Sequence, residues 1–134
     1  MNQHLNLTNN IDLVPQLATW IETIGEELEL PPDKVFQINL AMEEAVVNVM
    51  NYAYPGQTDM PITVVADDSK GQLQFVVDDQ GIAFDPTQVE DPDITLDAEE
   101  RPIGGLGIML VRQFASSISY LRTPDGHNRL TIEF

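Results

Sequence analysis

Residues 31–55 read PPDKVFQINLAMEEAVVNVMNYAYP, and this stretch decides the fold. Prolines stand at both ends, and the apolar residues between them recur at intervals of three and four, which predicts one long amphipathic helix. The apolar stripe of this helix consists of Val35, Ile38, Met42, Ala45, Val49 and Tyr52. We therefore expect the rest of the chain to be organised around this helix.

A second, polar stripe follows the same helix and is made of Gln37, Glu44, Asn48 and Asn51. Phe36, Leu40 and Val47 lie just beyond this stripe, which predicts that it sits in a furrow between two apolar surfaces. We also expect the phenylalanine residues, Phe36 among them, to be core packing. A carboxylate and an amide stacked one turn apart in such a furrow are costly to bury unless they bind something. The helix alone leaves two interpretations open, a binding site or a polar edge with its own internal hydrogen bonds.

The length and composition of the chain indicate its class. Its 134 residues predict one domain over residues 1–134, and a hydrophobic content of 43% is enough to build a core. We expect a soluble cytoplasmic protein, because no apolar run approaches the ~20 residues of a membrane span. The chain has no cysteine, which excludes disulfides and thiolate metal sites.

The charge of the chain is strongly acidic. Six basic residues stand against 22 acidic ones, for a formal net charge of −16. Such a surface cannot form the basic footprint that binds nucleic acid or an anionic membrane, so both classes of partner are excluded. It favours basic protein partners instead, although acidity that serves only solubility is an open alternative.

The order of predicted elements gives the fold class. A first strand at 5–7 is followed by a helix that Asn10 or Asp12 can cap, and then by the helix of residues 31–55. Two hairpins follow, at 62–77 and 118–134, separated by a long segment and a short helix. The order β-α-α-β-β-lid-α-β-β predicts an α+β fold, a two-layer α/β sandwich whose antiparallel-rich mixed sheet carries helices on one face.

Two further motifs carry chemistry. Residues 79–85 read DQGIAFD and leave the end of a strand, where the Asp79 carboxylate can accept a hydrogen bond from an exocyclic amine such as purine N6. Residues 104–107 read GGLG and open a helix whose exposed amides suit a phosphate chain. Each motif alone is weak, since the first also describes ordinary turns and the second a hinge.

The three motifs in this order, helical E-x-x-x-N, then D-x-G after a strand, then G-x-G before a helix, resemble the nucleotide-binding fold of the GHKL, or histidine-kinase-like, ATPases. The short EAVVN core and the GGLGI run are most similar to the anti-sigma-factor serine/threonine kinases of bacterial partner-switching systems. The resemblance covers residues 5–134. It implies ATP and Mg²⁺ as cofactors, a STAS-type anti-anti-sigma protein as the phosphorylated partner, sequestration of a sigma factor, and a homodimer.

The same resemblance implies roles for individual residues. Glu44 matches the general base of the family, and Asn48 matches the ligand of Mg²⁺. Asp79 matches the residue that reads adenine, with Gly81 beside it. The remaining nucleotide-binding residues that the resemblance implies are Gly104, Gly105 and Gly107 for the phosphates and Thr131 for completion of the adenine pocket.

The segment between the two glycine motifs is a predicted lid, and it is unusually acidic. Residues 85–100 contain seven carboxylates and no Lys or Arg, and Arg101 is the first cation after them. Because carboxylates repel a triphosphate, we expect an open lid, modest nucleotide affinity and a role for Arg101 at the γ-phosphate. Two functions remain open: a kinase, which Glu44 favours, and a nucleotide-sensing binding module without useful catalysis, which the acidic lid favours.

Overall fold

The computed structural model describes residues 1–88 and 108–134. In chain order the elements are β1 (Asn2–Thr8), α1 (Val14–Glu27), α2 (Pro32–Tyr52), β2 (Pro61–Asp67), β3 (Gln74–Asp79), α3 (Met109–Phe114), β4 (Ser117–Arg122) and β5 (Asn128–Glu133), with short 3-10 turns at Ile11–Leu13 and Pro86–Gln88. The predicted order of elements is confirmed. Within the described ranges, no helix combines the length and the apolar composition that crossing a lipid bilayer requires.

The five strands form one sheet in the order β1-β2-β3-β5-β4. All four neighbouring pairs of these described strands are antiparallel. In this register Ile62 of β2 lies opposite Asp79 of β3, and Asp79 lies opposite Asn128 of β5. The predicted α+β class with an antiparallel-rich sheet is confirmed, and the register brings the end of the D-x-G strand next to the start of the last strand.

Helix α2 lies at the centre of the core. It begins at Pro32, whose missing amide hydrogen costs nothing in the first turn of a helix. The side that faces the sheet and α1 is almost completely excluded from solvent, and its buried residues are Ile38, Ala41, Met42, Ala45, Val46, Asn48 and Met50. Three residues of the predicted apolar stripe, Ile38, Met42 and Ala45, therefore lie on the buried inner face beside the polar Asn48, and the other three are partly buried.

One wall of the predicted furrow is exposed. Phe36 was expected to be core packing, but 64% of it is exposed to solvent. Since a helix advances by ~100° per residue, Phe36 points away from the buried Ile38, which is two positions further along. The expectation that Phe36 packs in the core is therefore wrong, and the apolar surface beyond the polar stripe faces solvent.

Candidate functional site

A cavity lies between the inner face of α2 and the adjoining ends of β3, β4 and β5. Its void is about 410 Å³, including the solvent at its mouth, and its walls leave little room for water inside, so it is a narrow slot. The residues that line it are Ala45, Asn48, Val49, Ala53, Val77, Asp79, Phe84, Pro86, Ile108, Tyr120, Asn128 and Leu130. A flat apolar slot with a few convergent polar groups is the usual form of a small-molecule site.

Asp79 ends β3 and is 3% exposed. Its Oδ1 accepts two hydrogen bonds, one from the Gly81 amide at 2.8 Å and one from Asn128 Nδ2 at 2.8 Å. Burial raises the pKa of the Asp79 carboxyl, and these two hydrogen bonds offset the rise only in part. The other carboxylate oxygen, Oδ2, accepts none of the hydrogen bonds that the structure describes, so it is the acceptor available to a bound molecule.

Asn128 begins β5, is 5% exposed and makes four hydrogen bonds. Its amide nitrogen donates to Asp79 Oδ1 and to the Ile82 carbonyl at 2.7 Å. Its amide oxygen accepts from the Tyr120 hydroxyl and from the Phe84 amide at 3.4 Å. Because the nitrogen of this amide donates two hydrogen bonds and its oxygen accepts two, the orientation of the Asn128 side chain is fixed. The fixed amide in turn holds the Asp79 carboxylate in place.

The structure does not bring Thr131, the residue predicted to complete the adenine pocket, to the lining of the cavity. The neighbours of Thr131, Leu130 and Ile132, point into the core, and successive side chains of a strand point to opposite faces. Thr131 therefore lies on the outer face of the sheet, and Asn128 occupies the position beside Asp79. The sequence analysis missed Asn128, because an Asn just after a turn carries no signal until the β3–β5 register is known.

Gly81 allows the turn after β3 to approach the end of α2. A Cβ atom at this position would lie 2.1 Å from the carbonyl oxygen of Ala53, and the same oxygen accepts a hydrogen bond from the Ile82 amide at 2.9 Å. The Tyr54 hydroxyl secures the turn from the other side by accepting from the Gln80 amide at 2.7 Å. The glycine thus serves close backbone packing that places the turn against the helix.

Glu44 and Asn48 lie one turn apart on α2, as predicted. Asn48 is buried and lines the cavity. Oε1 of Glu44 accepts hydrogen bonds from the amides of Leu110 at 2.9 Å and Val111 at 3.3 Å, in the first turn of α3. The positive end of α3 therefore orients the Glu44 carboxylate at the edge of the site.

Asn48 has the chemistry of a ligand for Mg²⁺, which prefers hard oxygen donors and usually completes its shell with phosphates and water. Within residues 1–88 and 108–134, no group of three or more His, Cys, Asp or Glu side chains is arranged to hold a metal ion. Asn48 therefore fits a Mg²⁺ site in which one protein amide oxygen and the phosphate oxygens of a bound nucleotide are the ligands. The roles predicted for Glu44, Asn48 and Asp79 remain predictions.

Four predicted residues, Arg101, Gly104, Gly105 and Gly107, lie outside the described residues, and so does most of the acidic lid. Of the lid carboxylates only Asp85 is described, and its Oδ1 accepts from the Thr87 amide at 2.9 Å. The structure brings two of the predicted residues, Asn48 and Asp79, to the lining of the cavity. Gly81 is hydrogen-bonded to Asp79, and Glu44 lies one helical turn before Asn48, with its carboxylate held by the start of α3.

Comparison with known proteins identifies the family. Residues 7–134 match the family described as the histidine kinase-like ATPase domain. The chain belongs to this family. The resemblance drawn from the E-x-x-x-N, D-x-G and G-x-G motifs is thereby confirmed.

Named relatives in this family are protein kinases. The chain is 28% identical over 113 residues to the serine/threonine-protein kinase BtrW of Bordetella bronchiseptica. The aligned residues cover 84% of this chain and 79% of the relative. The chain is 29% identical over 90 residues to the serine-protein kinase RsbW of Listeria monocytogenes, where it spans 64% of this chain and only 57% of the relative. The predicted enzyme class, a protein serine/threonine kinase, is that of both relatives.

A solved structure shares the fold. A crystal structure of the RsbU and RsbW domains of a Mycobacterium tuberculosis protein superposes with a TM-score of 0.68 over 99% of this chain and 32% of that one. The identity between the two is 16%, so the likeness concerns the fold. It agrees with the predicted two-layer α/β sandwich.

Proposed function

We propose that this protein is an ATP-dependent serine/threonine kinase that phosphorylates a small anti-anti-sigma protein of the STAS type and sequesters a sigma factor. One observation carries the proposal. Helix α2 presents the buried amide of Asn48 to a narrow cavity that holds Asp79, and one turn before Asn48 it presents Glu44, whose carboxylate accepts from the Leu110 amide. One helix thus connects a nucleotide slot with a candidate general base.

The cavity suits adenine. The ionised Asp79 carboxylate offers Oδ2 as an acceptor, which complements the N6 amino group of adenine and opposes the O6 carbonyl of guanine. Because Asp79 is buried, a wrong partner would leave its charge unsatisfied, and such penalties discriminate strongly between ligands. The apolar side chains Val77, Ile108 and Leu130 supply the contacts for the flat ring.

Transfer of the γ-phosphoryl group would use Glu44 as the proton acceptor. The hydroxyl oxygen of the acceptor Ser or Thr forms a bond to the γ-phosphorus while the bond between that phosphorus and the β–γ bridging oxygen breaks. The hydroxyl proton passes to the Glu44 carboxylate, and the products are ADP and the phosphorylated protein. Asn48 would hold Mg²⁺, which neutralises phosphate charge when bound.

The charge of the chain supports the proposed partners. A net charge of −16 attracts basic proteins and repels nucleic acid, and a sigma factor, which binds DNA, is expected to carry a basic surface. The names of the relatives support protein phosphorylation but state no partner. The homodimer, the cytoplasmic location and the partner identities are inferences from the family resemblance and the composition.

A second candidate function is a nucleotide-sensing module without phosphotransfer. One observation favours it: the Glu44 carboxylate already accepts two hydrogen bonds from the start of α3, and a carboxylate stabilised in its charged form is a weaker base. The two functions differ in a single property, the transfer of phosphate to another protein.

Two measurements on the purified chain test the proposal. Calorimetry with ATP and GTP, each with Mg²⁺ and with EDTA, should show Mg²⁺-dependent binding that prefers ATP. Radiolabelled γ-phosphate should then pass to at least one of the anti-anti-sigma proteins encoded in the same genome. Equal affinity for ATP and GTP would refute the adenine assignment, and binding without transfer to any acceptor would establish the sensing module instead.

A further inference from the structure

A groove lies on the outer side of α2, opposite the nucleotide cavity. Its void is about 550 Å³, and it is lined by Leu40, Glu43, Glu44, Val47 and Leu110. Three of these five side chains, Leu40, Val47 and Leu110, are aliphatic and half-buried. The groove therefore exposes apolar surface to water beside the carboxylates of Glu43 and Glu44. None of these aliphatic residues belongs to the buried core cluster.

Phe36 extends the apolar surface of this groove along α2. It lies one helical turn before Leu40, on the same side of the helix, and at 64% it has the largest exposure of the large hydrophobic side chains that the structure describes. Met109 is exposed at the start of α3, beside Leu110. Contiguous exposed apolar surface of this kind marks binding surfaces in soluble proteins.

Glu44 belongs to this groove as well as to the edge of the site. Its neighbour Ala45 and the next-turn Asn48 line the nucleotide cavity, whereas Glu44 lines the groove. A hydroxyl delivered along the groove therefore reaches the Glu44 carboxylate from the side away from the adenine slot. This is the approach that an acceptor protein needs if nucleotide occupies the cavity.

We propose that this groove is the docking surface for the protein that is phosphorylated, and that it receives an apolar segment carrying the acceptor hydroxyl with a Lys or Arg next to it. The inference rests on the proposed kinase function and adds the place and the chemistry of recognition. Leu40, Val47 and Phe36 would contact the apolar residues of the segment. Glu43, which is exposed at the rim, would pair with its cation.

Charge argues against a second copy of the chain as the occupant. A two-fold interface centred on the groove places the same surface of both copies face to face. Glu43 and Glu44 of one copy would then meet the same carboxylates of the other, and juxtaposed like charges weaken association. A basic acceptor meets no such repulsion, and the overall charge of −16 also draws it to the surface.

The experiment uses the full chain and each anti-anti-sigma protein that it phosphorylates in the assay described above. Phe36→Ser removes the exposed ring and Glu43→Lys reverses the rim charge. Leu121→Ser is the matched control, because Leu121 is 58% exposed but lies on edge strand β4, on the outer face of the sheet. Phe36→Ser and Glu43→Lys should each raise KM for the acceptor protein about tenfold, as loss of an interface anchor does, and leave KM for ATP unchanged.

Every outcome decides the proposal. If Phe36→Ser and Glu43→Lys behave like Leu121→Ser while transfer continues, the docking surface is refuted and the kinase stands. If the unaltered chain binds ATP but phosphorylates none of the acceptors, the proposed function fails and the docking surface fails with it. Light scattering completes the test: conversion of a dimer to a monomer by Phe36→Ser would assign the groove to contact between copies, and an unchanged mass with raised acceptor KM supports the proposal.

Discussion

The two sides of helix α2 differ in how their polar groups are held. On the inner side, Asp79 and Asn128 are buried and joined by hydrogen bonds to each other and to the surrounding backbone. On the outer side, Phe36 and Glu43 face solvent, and the groove between the helix and α3 is open. The comparison shows one helix with a slot whose few polar groups are fixed on one side and an exposed apolar surface on the other.

The physical reason for the difference is the cost of burial. An unsatisfied polar group excluded from water costs about 1–3 kcal/mol, so the inner side must hold its polar atoms in fixed positions. In the part of the chain that the structure describes, no buried side-chain nitrogen or oxygen lacks a hydrogen-bond partner. The outer side carries no such constraint, because its carboxylates stay close to water.

The largest effect is expected at Glu44, which lies between the two sides. Glu44→Gln keeps a side-chain oxygen that can accept from the amides of Leu110 and Val111 but removes the carboxylate that we propose as the proton acceptor. Phosphotransfer should therefore fall by about 10²–10⁴-fold while ATP binding changes little. Single-turnover transfer and calorimetry measure the two properties.

The control for this prediction is Glu26→Gln, the same chemical change at an exposed position of α1. It should leave transfer unaltered. Full activity of the Glu44→Gln variant would show that the Glu44 carboxylate serves only to anchor α3. The outer side of α2 would then have no part in the chemical step.

Asp79→Asn tests the inner side directly. Because Oδ1 accepts from Gly81 and Asn128, the new amide nitrogen takes the place of Oδ2, and the substitution removes the charged acceptor that we propose for adenine. A charge-assisted hydrogen bond contributes about 1.5–3 kcal/mol. ATP affinity should fall by about 10–150-fold, without a strong gain for GTP. Titration calorimetry with both nucleotides provides the measurement.

The pH dependence of ATP affinity, measured in the same titrations, provides the control. Because burial raises the pKa of Asp79, the carboxyl takes up its proton at a higher pH than an ordinary Asp does. Lowering the pH should therefore weaken ATP binding by the unaltered chain, since the ionised form is the better acceptor. The Asp79→Asn variant should lack this component of the pH dependence, and an identical pH response in both proteins would contradict the assignment.

Gly81→Ala tests how tightly the inner end of α2 is packed. Its Cβ would lie 2.1 Å from the Ala53 carbonyl, and a backbone atom in this position cannot move alone. We expect a loss of about 3 kcal/mol in the free energy of unfolding, at the upper end of overpacking costs, measured by urea denaturation. Gly25→Ala is the comparison, because its Cβ would meet Val35 Cγ2 at 2.5 Å, and a side-chain atom can shift more readily than a backbone carbonyl. Equal losses for both variants would show that the turn after β3 is loosely held.

The smallest effect is expected at Tyr120, the outermost member of the inner network. Tyr120→Phe removes the hydroxyl that donates to Asn128 and leaves the Asn128–Asp79 bond in place. The unfolding free energy should fall by about 0.5–1.5 kcal/mol, with a weaker effect on ATP affinity. Ser119→Ala removes a hydroxyl from the opposite face of the same strand and should change neither property. If the Tyr120→Phe variant kept both its unfolding free energy and its ATP affinity, the hydrogen bond from the Tyr120 hydroxyl would not be needed to hold Asn128.

Much of the fold was predictable from the sequence because local patterns are strong in this chain. The 3,4 spacing of apolar residues predicted α2, and the alternating strands around Gly- and Asp-rich turns predicted both hairpins. The motifs around Glu44, Asn48 and Asp79 predicted the inner site, and the family match is consistent with that interpretation. Phe36 could not be placed in this way, since periodicity separates the faces of a helix but does not show which neighbours cover them.

By itself, then, the sequence determined the elements, their order and the acidic character, and it predicted Glu44, Asn48 and Asp79 as members of the site, because spacing and composition depend only on the chain. The tertiary structure decided which strands are neighbours and therefore which side chains meet. The β3–β5 register placed Asn128, and not Thr131, beside Asp79, because a shift of one residue along a strand moves a side chain to the other face of the sheet. The packing of α3 decided that the Glu44 carboxylate is held by backbone amides 66 and 67 residues away in the chain.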